Sequence, residues 1–469
     1  MQHQPPSHRP PKKRLTKRQI EMLRRKRRRE KMMNLVLLAV IAVMIIGITV
    51  LILRPGKSGS ASPVPTPVPT AAPTPVPTEA PTEAPTEIPT EAPTETPTEA
   101  PAAVATAEPQ TGTVAYGNRS VHFRVTGDIM VTDDQLSFAK TVSNAYGDGK
   151  GYTFTPQLAP IMESLQAADY TMGNLETSIG KYKTRDYSGY PMFNAPETLL
   201  DTLKECGYDF FTLANNHMLD RWFDGMKNTV GWVEQYGFAH VGAYRTQEER
   251  NTPVIIEIGG IKFGFVAYTH STNTVENSCD KAVFEYGVPY LYKADIEGDI
   301  QRLRDAGAEV VVALPHWGDE YIRQPDDNQL SYARRLAQAG ADIILGSHSH
   351  MVQPMQVVNV TRNDGTNKNV FIIYSLGNFL TSHDLEYTDA GIILDFTVQE
   401  QPNGTFEVVD IGYVPTYCWT HDGGVEVVPA KVYLENRPSN MSDASYQRMK
   451  STYEGNVQLL GSDFKVLDK

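Results

Sequence analysis

The sequence predicts an α/β fold in which two β-sheets pack together with helices on the outside. Three observations lead there. Strands alternate with helices from residue 121 to 345, strands dominate from 353 to 413, and nearly all of six short polar clusters directly follow an apolar, strand-like run. In an open α/β sheet the carboxyl ends of the strands converge on one edge, so residues far apart in sequence can meet there around one ligand.

The first elements say where the chain works. Residues 1–31 hold thirteen Lys or Arg against two Glu, a surplus of eleven positive charges, and an uninterrupted apolar run follows from 35 to 53. At about 1.5 Å per residue that run spans a hydrocarbon core of roughly 30 Å, so residues 32–54 read as a transmembrane helix. A cleavable signal peptide is the competing reading. Against it, the run exceeds the usual apolar region of about 7–15 residues, and Arg54-Pro55-Gly56-Lys57 offers no small-residue cleavage site. The positive-inside bias keeps the basic arm cytoplasmic, beside anionic membrane lipids, and puts everything after Arg54 outside the cell.

Residues 55–117 read as a disordered stalk. From 63 to 101 the chain is almost entirely Pro, Thr, Ala, Val and Glu, with Glu79, Glu83, Glu87, Glu91, Glu95 and Glu99 evenly spaced. Proline removes backbone donors and favours polyproline II at about 3.1 Å per residue, so the stalk reaches on the order of 100 Å from the membrane. The whole-chain charge of −12 leaves −23 outside the basic arm, which excludes attraction of a polyanion by net charge, and no nucleic-acid partner is expected.

From residue 118 the chain is long enough for one large domain, expected over 118–425, with an extension over 426–469 packed on it. Residues 121–125 alternate as a strand leading to Asp128, and 156–168 place Leu158, Ile161, Met162 and Leu165 on one helical face. Next come strand 170–172, helix 196–206, strand 210–213 and helix 224–236. Residues 254–258 and 261–268 flank Gly259-Gly260 as a β-hairpin. Helix 294–306, strand 310–314, helix 328–339 and strand 343–345 restore the alternation. Strands at 353–360, 370–374, 391–398 and 405–413 follow, and Ser442 caps a last helix through Tyr446, Met449 and Tyr453. Cys206, Cys279 and Cys418 are odd in number and widely spaced, so neither a disulfide framework nor a Cys metal site is expected.

The clusters are Gly127-Asp128, Asn174-Leu175-Glu176, Asn215-Asn216-His217, His316-Trp317-Gly318, His348-Ser349-His350 and Ser375-Leu376-Gly377-Asn378. Carboxylate, amide and imidazole together are the donor set of a divalent-metal site. A lone histidine is usually structural, but His316, His348 and His350 stand at two strand ends beside two carboxylates and an amide. In extended geometry His348 and His350 emerge on one face. Two neighbouring imidazoles repel if both are protonated, which metal coordination avoids. Asp128 is expected as a ligand, with a turn aspartate as the alternative. Trp317 is placed as a pocket wall, and Gly318 permits close approach.

In this order the motifs resemble those of the CapA (PgsA-like) family of capsule, or poly-γ-glutamate, synthesis proteins, a branch of the calcineurin-like metallophosphoesterases, over residues 121–379. The resemblance implies a four-layer α/β/β/α sandwich with two metal positions at the strand ends. It implies that Glu176 bridges them, that Asn216 gives an amide oxygen, and that His217 serves as the catalytic proton donor to a leaving oxygen. Asp220 lies three residues after His217 instead of next to it, which leaves their pairing open. The wider family has a second ligand where this chain has Met130, and a thioether suits such cations poorly, so one or two ions remain open. Asn174 orients a carboxylate or meets substrate, and Asn378, His270 and His383 are expected at the substrate. Surface-loop and turn readings remain for Glu176, Asn216 and Asn378.

The expected metal set is thus Asp128, Glu176, Asn216, His316, His348 and His350, holding Mn, Fe or Zn. Two functions follow. One is a membrane-anchored, metal-dependent hydrolase acting on a phosphate ester or an acidic cell-envelope polymer. The other is a noncatalytic component that binds polymer within a capsule synthesis complex.

Overall fold

The computed structural model of the chain describes residues 118–147, 149–181, 186–422 and 424–469. The basic arm, transmembrane helix and stalk expected over 1–117 lie outside them. Among the described residues no helix is long and apolar enough to cross a membrane.

Along the chain come β1 (Ser120–Ile129), α1 (Asp133–Tyr146), β2 (Tyr170–Leu175), β3 (Ser178–Ile179), β4 (Asn194–Ala195), α2 (Thr198–Glu205), β5 (Phe210–Thr212) and α3 (Trp222–Gln235). Then follow β6 (Ala239–Val241), β7 (Val254–Ile258), β8 (Ile261–Thr269), α4 (Ile296–Asp305), β9 (Val310–His316), α5 (Asp327–Ala339) and β10 (Ile343–Leu345). The last part holds β11 (Met355–Thr361), β12 (Asn367–Ile373), β13 (Asn378–Leu380), β14 (Ala390–Glu400), β15 (Phe406–His421), β16 (Gly424–Pro429), α6 (Asp443–Leu460) and β17 (Lys465–Val466).

One sheet runs β16-β15-β14-β1-β2-β5-β6, with β13 beside β1 and β17 beside β15; the other runs β11-β12-β10-β9-β8-β7. In the first, β1, β2, β5 and β6 are parallel. In the second, β8, β9, β10 and β12 are parallel. These parallel centres point their carboxyl ends to a common edge.

Period-two patterning sorts the core. On β9, Val310, Val312 and Leu314 join Phe123, Phe263, Phe265 and Phe396 in the layer between the sheets. The alternate residues Val311 and Ala313 pack with Ile300 and Leu303 of α4 and Leu336 of α5. On the other sheet's outer face, Leu136, Leu199 and Val230 bring in α1, α2 and α3. Each large apolar side chain buried this way contributes roughly 1.5–3 kcal/mol. Helices therefore lie outside two packed sheets.

Several expectations shift. The helix expected over 156–168 is broken into Thr155–Leu158, a tighter turn Ala159–Ile161, and Met162–Leu165. Pro160 removes a backbone donor and its ring crowds the preceding turn. Trp317 does not wall a pocket: it is buried among α4 and α5 residues, and its Nε1 donates to the Tyr374 carbonyl at 2.9 Å. A Cβ at Gly318 would come within 2.5 Å of the Gln329 side chain, the close approach that position requires. Strand β16 runs across residue 425, so the last residues are woven into the sheet as well as packed on it.

Candidate metal centre

The site assembles where the parallel strands end. Asp128 is the penultimate residue of β1, Asn174 lies near the end of β2 with Glu176 just beyond, Asn215, Asn216 and His217 follow β5, His316 closes β9, and His348 and His350 follow β10. Beside Asp128 the chain crosses another segment at a distance only glycine allows. A Cβ on Gly127 would lie 1.8 Å from the Gly377 carbonyl oxygen, and the Asp128 N–H donates to that oxygen at 3.0 Å. The β1–β2 pairing shifts register between Val125 and Asp128, a bulge next to the site.

Two donor groups form, Glu176 with His316 and His348, and Asp128 with Glu176 and His350, each with its ligand atoms within 4.8 Å of one another. All five residues are buried, and Glu176 belongs to both groups. Asn216 joins the first: its Oδ1 lies 2.9 Å from His316 Nε2, which is 3.1 Å from His348 Nδ1. His316 is held from behind by Ser347 Oγ, 2.8 Å from its Nδ1. In the second group His350 Nδ1 lies 3.2 Å from Asp128 Oδ2 and 3.0 Å from Asn378 Oδ1. His348 and His350 are not extended; their φ values are +96° and +57°. Non-glycine residues held there cost on the order of 1–3 kcal/mol each, a strain that clusters at functional sites.

Electrostatics supply a test of metal fit. Burial and the neighbouring Asp128 charge push the Glu176 carboxyl well above its ordinary range. Its Oε1 has no hydrogen-bond partner, and His316 Nε2 stands 3.7 Å away. Burial, then the surrounding imidazoles, hold His316 and His348 well below the usual histidine value. Imidazoles kept neutral and an orphaned carboxylate oxygen among them suit a divalent cation. Burial works most strongly against a charged His350, but the hydrogen bond and charge of Asp128, with Glu320 and Asn378, together outweigh it and raise its value. Met130 is buried and offers no donor to either group, so the second group rests on Asp128, Glu176 and His350.

The remaining residues surround these. Asn174 Nδ2 donates to Asp128 Oδ1 at 2.8 Å, and Asn215 Nδ2 to the Leu175 carbonyl at 2.9 Å. His217 and Asp220 do pair, Nδ1 to Oδ2 at 2.7 Å, and the same oxygen accepts the Phe193 N–H at 2.6 Å. Three residues suffice because the chain turns there, the Asp220 N–H bonding the His217 carbonyl. Burial raises the Asp220 carboxyl while its bond to His217 opposes the rise. Asn378 is fully buried and divides its amide between His350 and the Thr388 carbonyl, the latter at 2.8 Å. His270 packs its ring 4.2 Å from that of His348, and His383 edges His350 at 5.4 Å. Burial, then His350, lowers His383 to about 4. Sequence reasoning missed Ser347, whose signal was its place directly before His348, and Tyr321, whose ring lies 5.8 Å from His350.

Comparison with known proteins places these residues in context. The profile of the family described as bacterial capsule synthesis protein PGA_cap matches residues 122–383, more than half the chain. The chain is similar to the PGA biosynthesis protein CapA of Bacillus subtilis, 29% identical over 252 residues that cover 52% of this chain and 62% of that one. It is also similar to the capsule biosynthesis protein CapA of Bacillus anthracis, 25% identical over 302 residues covering 63% and 68%. The chain thus spans about three fifths of the B. subtilis relative's length. A calcineurin-like phosphoesterase of B. subtilis, YfkN, aligns over 72% of this chain and 98% of that one, with 16% identity and a TM-score of 0.35.

Proposed function

Because this chain belongs to the bacterial capsule synthesis protein family PGA_cap, of CapA type, we propose that it is a membrane-anchored capsule synthesis protein with a metal-dependent hydrolase site. The substrate is a phosphate ester or an acidic cell-envelope polymer such as poly-γ-glutamate. The observation that carries the reading is Glu176, buried, shared by two donor groups, with one oxygen unpaired. The four-layer arrangement of sheets and helices agrees with it.

Asp128, Glu176, Asn216, His316, His348 and His350 would hold one or two divalent ions, Mn, Fe or Zn. A bound ion supplies Lewis acidity toward an ester or carbonyl oxygen. Asn174 holds Asp128 in place, and Ser347 fixes the His316 ring. His217 turns Nδ1 to Asp220, which leaves Nε2, protonated in the imidazolium form, to deliver a proton to the leaving oxygen. Phe193 packs edge-on to that imidazole, ring centroids 4.6 Å apart, and restricts its rotation.

The test is metal content together with turnover. The full chain, purified in detergent, is expected to hold stoichiometric metal and to cleave an aryl phosphate mono- or diester, and His316→Ala to lose both. A wild-type chain that holds no metal after loading with Mn, Fe or Zn ends the hydrolase reading.

A further inference from the structure

The C-terminal helix α6 lies beyond the residues matched by the family profile, yet it grips both loops that border His350. Arg448, on α6, donates Nη2 to the Leu385 carbonyl at 2.5 Å and the Asp384 carbonyl at 3.1 Å, and pairs with the buried Asp389 at 2.8 Å. Those residues belong to the 381–389 segment. There the Thr388 carbonyl accepts from Asn378, whose Oδ1 meets His350 Nδ1. From the other side Arg323 reaches α6. Its Nη2 donates to the Gly455 carbonyl at 2.7 Å and Asn456 Oδ1 at 2.8 Å. Arg323 also stacks on Tyr387, 3.8 Å from the ring centroid, while a Cβ at Gly455 would come within 2.6 Å of that ring. Two residues before Arg323, Tyr321 donates its N–H to the Ser349 carbonyl at 2.8 Å and sets its ring beside His350.

We propose that α6 is a latch, with Arg448 and Arg323 as positioning residues that hold the 319–323 and 381–389 segments against His350 and so set the metal affinity of the Asp128/Glu176/His350 group. The contacts are asymmetric. The Glu176/His316/His348 group is fixed instead by Ser347 and Asn216, which bond the His316 ring directly. With only three side-chain donors and Met130 beside it, the latched group is the one that depends on outer support. Loss of an outer-shell partner typically costs about ten- to a hundred-fold in metal affinity.

The proposal rests on the metal reading, so the experiment has one arm with metal and one without. In the first, the full chain in detergent is titrated with Mn2+ by equilibrium dialysis. Arg448→Met and Arg323→Met are expected to weaken one of two ions about ten- to a hundred-fold and leave the other unchanged, while Arg448→Lys recovers part of the loss. Arg437→Met, on the same C-terminal segment but bonded to Met441 and Asp443, is expected to bind as wild type. In the second arm, amide hydrogen exchange of the metal-free chain is expected to quicken at 319–323 and 381–389 in both Met variants, with β8 and β9 unchanged. Equal weakening of both ions, or wild-type exchange in those segments, overturns the latch. A wild-type chain without metal but with the exchange response intact overturns the metal reading and the affinity role, and leaves the mechanical link standing.

Discussion

At the scale of single residues the site turns on Glu176. Its carboxyl group is buried beside Asp128 with one oxygen unpaired, so ionising it without a cation is costly, and the metal-free protein holds an uncompensated polar group there that a cation relieves. Glu176→Gln should therefore abolish metal binding while raising the stability of the metal-free chain by roughly 1–3 kcal/mol, read as a higher thermal midpoint in chelator. Addition of Mn2+ should raise the midpoint of wild type and not of the variant. His217→Asn tests a different atom: metal content should hold while kcat falls about 10²- to 10⁴-fold. The donor residues were legible in the sequence because each ends or follows an apolar strand. Their backbone was not. His348 and His350 suggest an extended alternation, but the left-handed φ at both is imposed by the turn through Ser347 and Ser349, a tertiary effect that local pattern does not carry.

At the scale of elements, legibility followed periodicity. The strands with continuous apolar runs, β8, β9 and β10, were readable, as was the Ser442 cap of α6, whose Oγ accepts the Ser445 N–H at 3.1 Å. Helix α1 was overlooked because its apolar face is thin, although Thr132 with Gln135 forms a capping box and Gly147 closes it at φ +61°. The crossing of β1 over the 376–378 turn is a second feature visible only in three dimensions. Gly127→Ala should destabilise the chain by about 1–3 kcal/mol or more and lower metal content, since Asp128 is the next residue. A pH effect belongs to the β1–β14 pair. The hydrogen bond to Asp395 raises the His122 value, and although burial opposes it, bonds from His122 and Arg124 hold Asp395 below its ordinary range. The His122 contribution is full below about pH 6.5 and fades as pH rises through the elevated value; that of Asp395 is present above about pH 4 and fades as pH falls through the depressed one. His122→Gln should cost about 0.5–1 kcal/mol in denaturant unfolding at pH 5.5 and close to nothing at pH 9.

At the scale of the whole molecule, two kinds of sequence serve two tasks. The residues that match the family end at 383, yet the sheet needs β14, β15 and β16 to flank β1, and α6 to brace the site. A chain cut after residue 383 should therefore fail to fold cooperatively, seen as loss of a single thermal transition. Ahead of the domain, the apolar run at 35–53 supports the anchor reading. Deleting residues 1–54 should move the protein from the membrane to the soluble fraction with metal content unchanged, and recovery of the deleted form in the membrane pellet would remove the anchor. The three cysteines carry a last consequence. All are unbridged, Cys206 and Cys418 are buried, and burial pushes both thiols up to about 12. Two of the three are thus hidden from reagents, and Cys279, half-exposed, is left as a lone handle for a chemical label.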